Sequence, residues 1–149
     1  MKGLKDYINE NLIDRTNNDT VKIEITNWIK SNVKYKIAEN KLKFDFSTTP
    51  VTVNYDVNIE FKDHITSITN GTFQWGEIGR DFLCKFSNRL FSLEGAPKRV
   101  GGNFSCSFCK SLKSLEGAPT EVEGYFDCGH CTSLKTLDGA PKEVGGDFY

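Results

Sequence analysis

The sequence predicts a mainly β fold, a short repeat solenoid closed at its N-terminal end by an α-helix and β-hairpin cap. Three observations carry this expectation. Residues 81–102, 103–124 and 125–146 are three copies of one 22-residue pattern, and 147–149 read as part of a fourth. Within each copy the apolar residues alternate over two positions and then recur at steps of three, which suits short strands and tight turns rather than a long helix. Upstream of the copies, a helical apolar spacing gives way to alternating runs.

The elements follow in order. Leu4, Tyr7, Ile8 and Leu12 share one helical face, which reads as an amphipathic capping helix. Val21, Ile25, Trp28, Ile29 and Val33 sit at helical spacing after Asp19-Thr20, the candidate N-cap of a helix. Residues 35–37, 42–46 and 51–61 alternate like strands, with Glu39-Asn40 and Thr49-Pro50 as turn signals. Residues 11–55 are thus the cap that the open end of a solenoid needs. A degenerate rung covers 56–80: Val57 and Ile59 align with Phe82 and Cys84, Ile65 and Ile68 align with Leu90 and Leu93, and three extra residues precede Ile78. The repeats proper begin with Phe82/Cys84, Phe104/Cys106 and Phe126/Cys128, a period-2 step that puts both side chains on one face of a strand. Ser87, Cys109 or Cys131 comes next, then Leu90, Leu112 or Leu134, and then Leu93, Leu115 or Leu137 before a Gly-Ala-Pro turn. Val100, Val122 and Val144 return inward. One rung cannot bury its own apolar edge, whereas stacked rungs bury columns of Phe, Cys, Leu and Val.

Composition bounds the function. The chain has 149 residues, 38% of them hydrophobic, which is one folded domain. Nineteen basic against 20 acidic residues leave a formal charge of −1, which argues against a general nucleic-acid binder. No apolar run reaches the length of a membrane-spanning helix. The five cysteines are odd in number and fall within residues 84–131, so they read as reduced thiols inside a cell rather than a disulfide framework.

The pattern F-x-C-x-x-C-x-x-L-x-S-L-E-G-A-P, clearest over residues 103–124, resembles the leucine-rich-repeat-like proteins of large tailed bacteriophages. Cys109 and Cys131 hold the position of the Asn/Cys ladder of ordinary leucine-rich repeats, and the match covers 81–149. A convex-side helix is missing from the pattern. The opening Met1-Lys-Gly-Leu-Lys-Asp-Tyr-Ile-Asn-Glu10 is similar to the capsid-targeting leader of myovirus internal head proteins. That resemblance implies a leader over 1–10, cut after Glu10 in an Ile8-Asn9-Glu10 motif so that the mature chain begins at Asn11. Ile37-Ala38-Glu39 fits the same cleavage rule.

Candidate chemistry is sparse. Cys106, Cys109, Cys128 and Cys131 match the C-x₂-C-x₁₅₋₂₀-C-x₂-C spacing of a zinc site. The same spacing is one repeat period, and a buried thiol behaves as a small hydrophobe, so a reduced ladder without metal is expected. His130 lies between two cysteines on a strand edge and His64 lies in the degenerate rung. Neighbours on a strand face opposite ways, so no catalytic constellation and no cofactor are expected. The outward row of the strand face is the candidate binding surface: Asn58, Leu83, Lys85, Ser105, Tyr125, Asp127 and Tyr149. The expected partner is a host or phage protein, with no general nucleic-acid or membrane binding. Phe148-Tyr149 lie within a strand, so a homodimer through that C-terminal edge is also expected. The resemblances imply a non-catalytic interaction module, packaged in the virion and delivered to the host cytoplasm to bind a host or defence protein. A structural virion core component and an unpackaged phage protein of the infected cell are the alternatives.

Overall fold

The computed structural model describes residues 4–149, with side chains described from Asn17 onward. The fold is mainly β, with one helix at its N-terminal end and a β-solenoid of about four turns at roughly 22-residue spacing. Helix α1 spans Leu4–Asn32. The strands are β1 (Leu42–Asp45), β2 (Val51–Tyr55), β3 (Ile59–Glu60), β4 (Phe73–Ile78), β5 (Phe82–Leu83), β6 (Arg99–Val100), β7 (Phe104–Ser105), β8 (Glu121–Val122), β9 (Phe126–Asp127) and β10 (Glu143–Val144). They form two sheets in the orders β1-β2-β4-β6-β8-β10 and β3-β5-β7-β9. Each repeat gives one two-residue strand to each sheet, and like strands of successive rungs pair in parallel.

The repeat register is strict. Phe82 pairs with Phe104, Phe104 with Phe126 and Phe126 with Phe148. The first two pairs lie nearly parallel, at ring-centroid distances of 5.7 and 5.2 Å. Cys84, Leu90, Leu93 and Val100 and their counterparts Cys106, Leu112, Leu115 and Val122 complete the interior columns, all buried. The corners are tight turns. Leu90 N–H donates to Ser87 O at 3.0 Å and Ala96 N–H to Leu93 O at 3.0 Å, and both bonds recur one and two periods later. The turn glycine is obligatory in two ways at Gly117. Its φ of +87° is the left-handed region, and a Cβ there would lie 2.8 Å from the Leu93 and Glu94 backbone of the rung below.

The cap departs from the sequence expectation in three respects. Asp19-Thr20 does not start a helix; it lies inside α1. Residues 4–32 contain neither glycine nor proline, so nothing there interrupts helical hydrogen bonding. Residues 35–37 form no strand; their segment is irregular, with Ala38 N–H donating to the Tyr55 hydroxyl at 2.9 Å. Residues 51–61 are two strands rather than one, because the chain turns at Asp56-Val57 and passes from one sheet to the other. The hairpin is present as β1 and β2, antiparallel with Leu42 opposite Tyr55.

The degenerate rung also sits in a different register from that expected. Ile59 pairs with Phe82, and Phe61 N–H donates to Leu83 O at 2.8 Å, so Phe61 occupies the Cys84 level. His64 has the left-handed φ of Phe86, so Ile65 and Ile68 follow it as Ser87 and Leu90 follow Phe86. Ile78 pairs with Val100, which leaves no three-residue insertion. Matching apolar residues by type alone misplaced this rung; backbone pairing sets it. Its non-identical aromatics meet edge to face, Phe61 with Phe82 at 5.4 Å and Trp75 with Phe82 at 5.8 Å. The Trp75 indole N–H donates to Ile68 O at 2.8 Å.

Ile25 and Ile29 are buried on one face of α1, Val33 is buried just beyond its end, and Trp28 meets Phe61 and Phe73 edge to face. The helix end is tied to β3: Lys34 N–H donates to Glu60 O, Lys62 N–H donates to Asn32 O, and Val33 bridges Phe61.

Equivalent leucines differ by rung. Leu115 is fully buried, whereas Leu137, one period on, is 58% exposed. Leu115→Ala is therefore expected to cost about 2–5 kcal/mol, and Leu137→Ala less than about 0.5 kcal/mol, as read from urea unfolding midpoints.

Candidate functional site

The five cysteines are free and buried; four of their sulfurs face carbonyls of neighbouring rungs, and Cys106 meets the Cys131 thiol. Cys109 Sγ donates to Cys84 O at 3.2 Å and Cys131 Sγ to Cys106 O at 3.1 Å. Cys84 Sγ donates to Ser105 O at 3.5 Å and Cys128 Sγ to Tyr149 O at 3.3 Å. The thiols are thus weak donors spent on holding rungs together. Among the described residues no group of three or more His, Cys, Asp or Glu side chains is arranged to hold a metal. The zinc-like spacing of Cys106, Cys109, Cys128 and Cys131 is the repeat period seen twice. Ser87 takes the place of Cys109 in the first repeat, and its buried hydroxyl has no hydrogen-bond partner among the described residues. The rung below runs three residues from Phe61 to His64, where the repeats run two from Cys84 to Phe86, so its backbone does not follow the repeat there.

Burial raises the Cys84 thiol, brings Cys109 up to about 12 and Cys128 up to about 11. Cys106 is raised first by its hydrogen bond with Cys131 and then by burial, and the same bond lowers Cys131. A thiol must ionise to attack or to ligate; burial opposes this in Cys84, Cys109 and Cys128, and within the Cys106–Cys131 pair the shared hydrogen bond favours ionisation of Cys131 over Cys106.

Both histidines are exposed and both have left-handed backbones, φ 66° at His64 and 58° at His130. His130 is stacked on Phe108 rather than turned toward a thiol. A cleft of about 530 Å³ runs beside Phe73, its lining including Thr66, Ser67, Asn70, Phe91 and Glu94. Several of its hydroxyls serve their own loop: Ser67 Oγ donates to Thr69 O at 2.6 Å, and Ser92 Oγ accepts from Glu94 N–H at 3.0 Å.

The expected binding row is divided by the structure. Leu83, Ser105 and Asp127 pair across consecutive strands, preceded by Glu60 rather than Asn58. Ser105 is buried, bonded to Ser107 Oγ at 2.9 Å and donating to Asp127 Oδ2 at 3.2 Å. Leu83, Lys85, Tyr125 and Asp127 are half-buried, and Tyr149 is exposed. Asn58 belongs one position earlier, to a side-chain ladder. Its Oδ1 accepts from Asp81 N–H at 3.2 Å, Asp81 Oδ1 from Asn103 N–H at 2.8 Å, and Asn103 Oδ1 from Tyr125 N–H at 3.0 Å. These carbonyl and carboxylate oxygens therefore position backbone. Ile8, Glu10 and Asn11, the expected processing residues, lie outside the residues whose side chains are described.

The sequence reading missed an aromatic column at the corner that follows each second-sheet strand. Phe86, Phe108 and His130 stand one period apart, all with left-handed φ, and stack at 4.9 and 4.4 Å. A bulky residue in that region costs about 1–3 kcal/mol, and ring stacking returns about 0.5–1.5 kcal/mol per pair. Phe86 is 41% exposed, and Lys85 Nζ lies 6.0 Å from its ring centroid. The signal was available in the alignment as an aromatic recurring two residues after Cys84, Cys106 and Cys128. Period alone does not show that such a residue points outward.

The raised thiols give a sign for pH. Cys109 stays protonated in the fold well above the ordinary value of 9.0, while the unfolded chain ionises there. Its contribution to stability is fully present below that value and is lost as pH rises toward about 12. The urea midpoint of the native chain is expected to fall more steeply above pH 9 than that of Cys109→Ala, the two running parallel below about pH 8.

No protein-family model matches the chain, and neither the curated proteins nor the solved structures give a match to it.

Proposed function

We propose that the chain is a non-catalytic protein-binding module. The observation that carries this reading is the division of labour among its side chains. Four of the thiols and the Asn/Asp ladder are taken up by rung-to-rung hydrogen bonds, while the aromatic column presents exposed Phe86 and His130 with half-buried Phe108 stacked between them. Repeat solenoids bind partners along such extended surfaces, and exposed aromatics are enriched where partners dock.

The resemblance of residues 81–149 to leucine-rich-repeat-like proteins of tailed phages, and of residues 1–10 to a capsid-targeting leader, supports a more specific form. In it the chain is an internal head protein, injected with the DNA, that binds a host or defence protein in the host cytoplasm. Mass spectrometry of purified virions tests it. A chain present in the particle with a peptide beginning at Asn11 is the expected result. An intact N-terminus in the particle returns the chain to the virion core, and absence from the particle makes it a protein of the infected cell. Binding is read separately, by placing a photo-reactive residue at Leu83, Lys110 or Lys142 of the full chain. Protein adducts from at least one position are expected, and none from any position overturns the binding reading.

A further inference from the structure

We infer that the docking surface is the side of the solenoid built from residues 84–93, 106–115 and 128–137, and that it takes a short protein segment combining carboxylates with apolar side chains. The inference rests on the protein-binding reading and adds to it a place and a partner chemistry.

Charge is the first argument. Those three segments contain Lys85, Arg89, Lys110, Lys113 and Lys135 and not one Asp or Glu. Yet the chain as a whole has one more acid than base. The acids of the repeats are elsewhere: Glu94, Glu116 and Asp138 at the Gly-Ala-Pro turns, Glu121, Glu123 and Glu143 in or beside the first sheet, and Asp81, Asp127 and Asp147 in or beside the second. Four of the five cations are exposed and Lys85 is half-buried. Among the described residues none of the five forms an ion pair. The first sheet behaves differently, since Arg99 there pairs with Glu123 at 2.6 Å. A ridge of one sign, left unneutralised by a nearly neutral protein, is complementary to an anionic partner.

The second argument is apolar. The column of Phe86, Phe108 and His130 runs along this same ridge, and Phe91, 67% exposed, lies on it where the next two repeats have Lys113 and Lys135. Glycine or asparagine would serve the left-handed corner with less strain. Large rings there instead add exposed apolar surface between cations, so the partner must bring apolar groups as well as charge.

The rings also choose between a protein and a single-stranded nucleic acid. A base needs an open aromatic face. At 4.9 and 4.4 Å the faces within the column are already occupied by one another, and what is offered sideways is ring edges. Ring edges suit aliphatic and aromatic side chains. Three rungs at about 4.8 Å spacing make a strip on the order of 10 Å, enough to face three or four residues of an extended chain.

Fluorescence anisotropy on the full chain tests this with three labelled probes: a short peptide alternating glutamate with leucine and phenylalanine, the same peptide with lysine for glutamate, and an oligothymidylate of matched length. The acidic peptide is expected to bind, more weakly as salt rises, and the lysine peptide not to bind. Lys110→Glu with Lys113→Glu should weaken it by about tenfold or more. Phe86→Asn with Phe108→Asn, which keeps a residue tolerant of the left-handed corner, should also weaken it while circular dichroism and the urea midpoint show a folded protein. Lys98→Glu with Lys142→Glu, a change of equal charge away from the ridge, should leave binding within about twofold. Absence of acidic-peptide binding, unchanged binding by the ridge variants, or tighter binding of the oligothymidylate would each overturn the inference. Photo-adducts from position 83 or 142 but not 110 overturn the ridge while the binding reading stands; adducts from none overturn both.

Discussion

The structure depends on one constraint, the in-register parallel hydrogen bonding that sets each residue on its counterpart in the next rung. Phe82 N–H donates to Asn103 O, Phe104 N–H to Tyr125 O and Phe126 N–H to Asp147 O, all within 2.8–2.9 Å. Once the backbone pairs this way, every interior side chain has its own repeat equivalent above and below it. Planar rings then stack nearly parallel, as Phe82, Phe104 and Phe126 do. Interior positions must be able to tolerate themselves as neighbours. Phenylalanine, leucine, valine and neutral cysteine do so, whereas a repeated buried charge would not. The upward shift of the buried thiols is the same rule seen from the side of ionisation.

A stack of this kind has open ends, and the N-terminal one is closed by two different devices. The end of α1 reaches the second sheet through Val33 and Phe61. The β1-β2 hairpin extends the first sheet, with β2 parallel to β4 over Val51–Phe73, Thr52–Gln74 and Val53–Trp75. Unpaired strand edges attract other chains; at this end the hairpin makes β1 the terminal strand of the first sheet, and Val33 bridges Phe61 beside the second. The cap also accounts for the edge-to-face packing of Trp28, Phe61, Phe73 and Trp75. These aromatics come from elements that are not copies of one another, so no shared register lines them up. In the last rung, by contrast, Leu137, Phe148 and Tyr149 are exposed.

The left-handed aromatic corners run against what stability alone would select. A strained backbone carrying a partly exposed phenylalanine at Phe86, next to one at Phe108, spends conformational energy on a surface feature. The proposed docking surface would account for strain held at this corner, as it would for the charge segregation on the same side of the solenoid. The outward strand face has a different character. There Ser105, Ser107 and Asp127 satisfy one another, which leaves fewer free polar groups for a partner.

The sequence by itself determined the period, the mainly β class, the N-terminal helix and hairpin, and the inward set of the first two repeats; in the third, Leu137 is exposed and Leu134 and Val144 are half-buried. The period, class, cap and inward set follow from local alternation and from self-similarity, which a chain displays without being folded. Only the tertiary structure decided the register of the degenerate rung, the break that splits residues 51–61 between two sheets, and the transfer of Asn58 from a binding row to a backbone ladder. It also decided that four of the thiols meet carbonyls of neighbouring rungs, and that Phe86, Phe108 and His130 stack in one column whose first and last members are exposed. The physical reason is common to all of these. Side-chain pattern specifies which face a residue prefers, but partners across rungs are set by backbone pairing, and one residue more or less between corners changes every neighbour that follows.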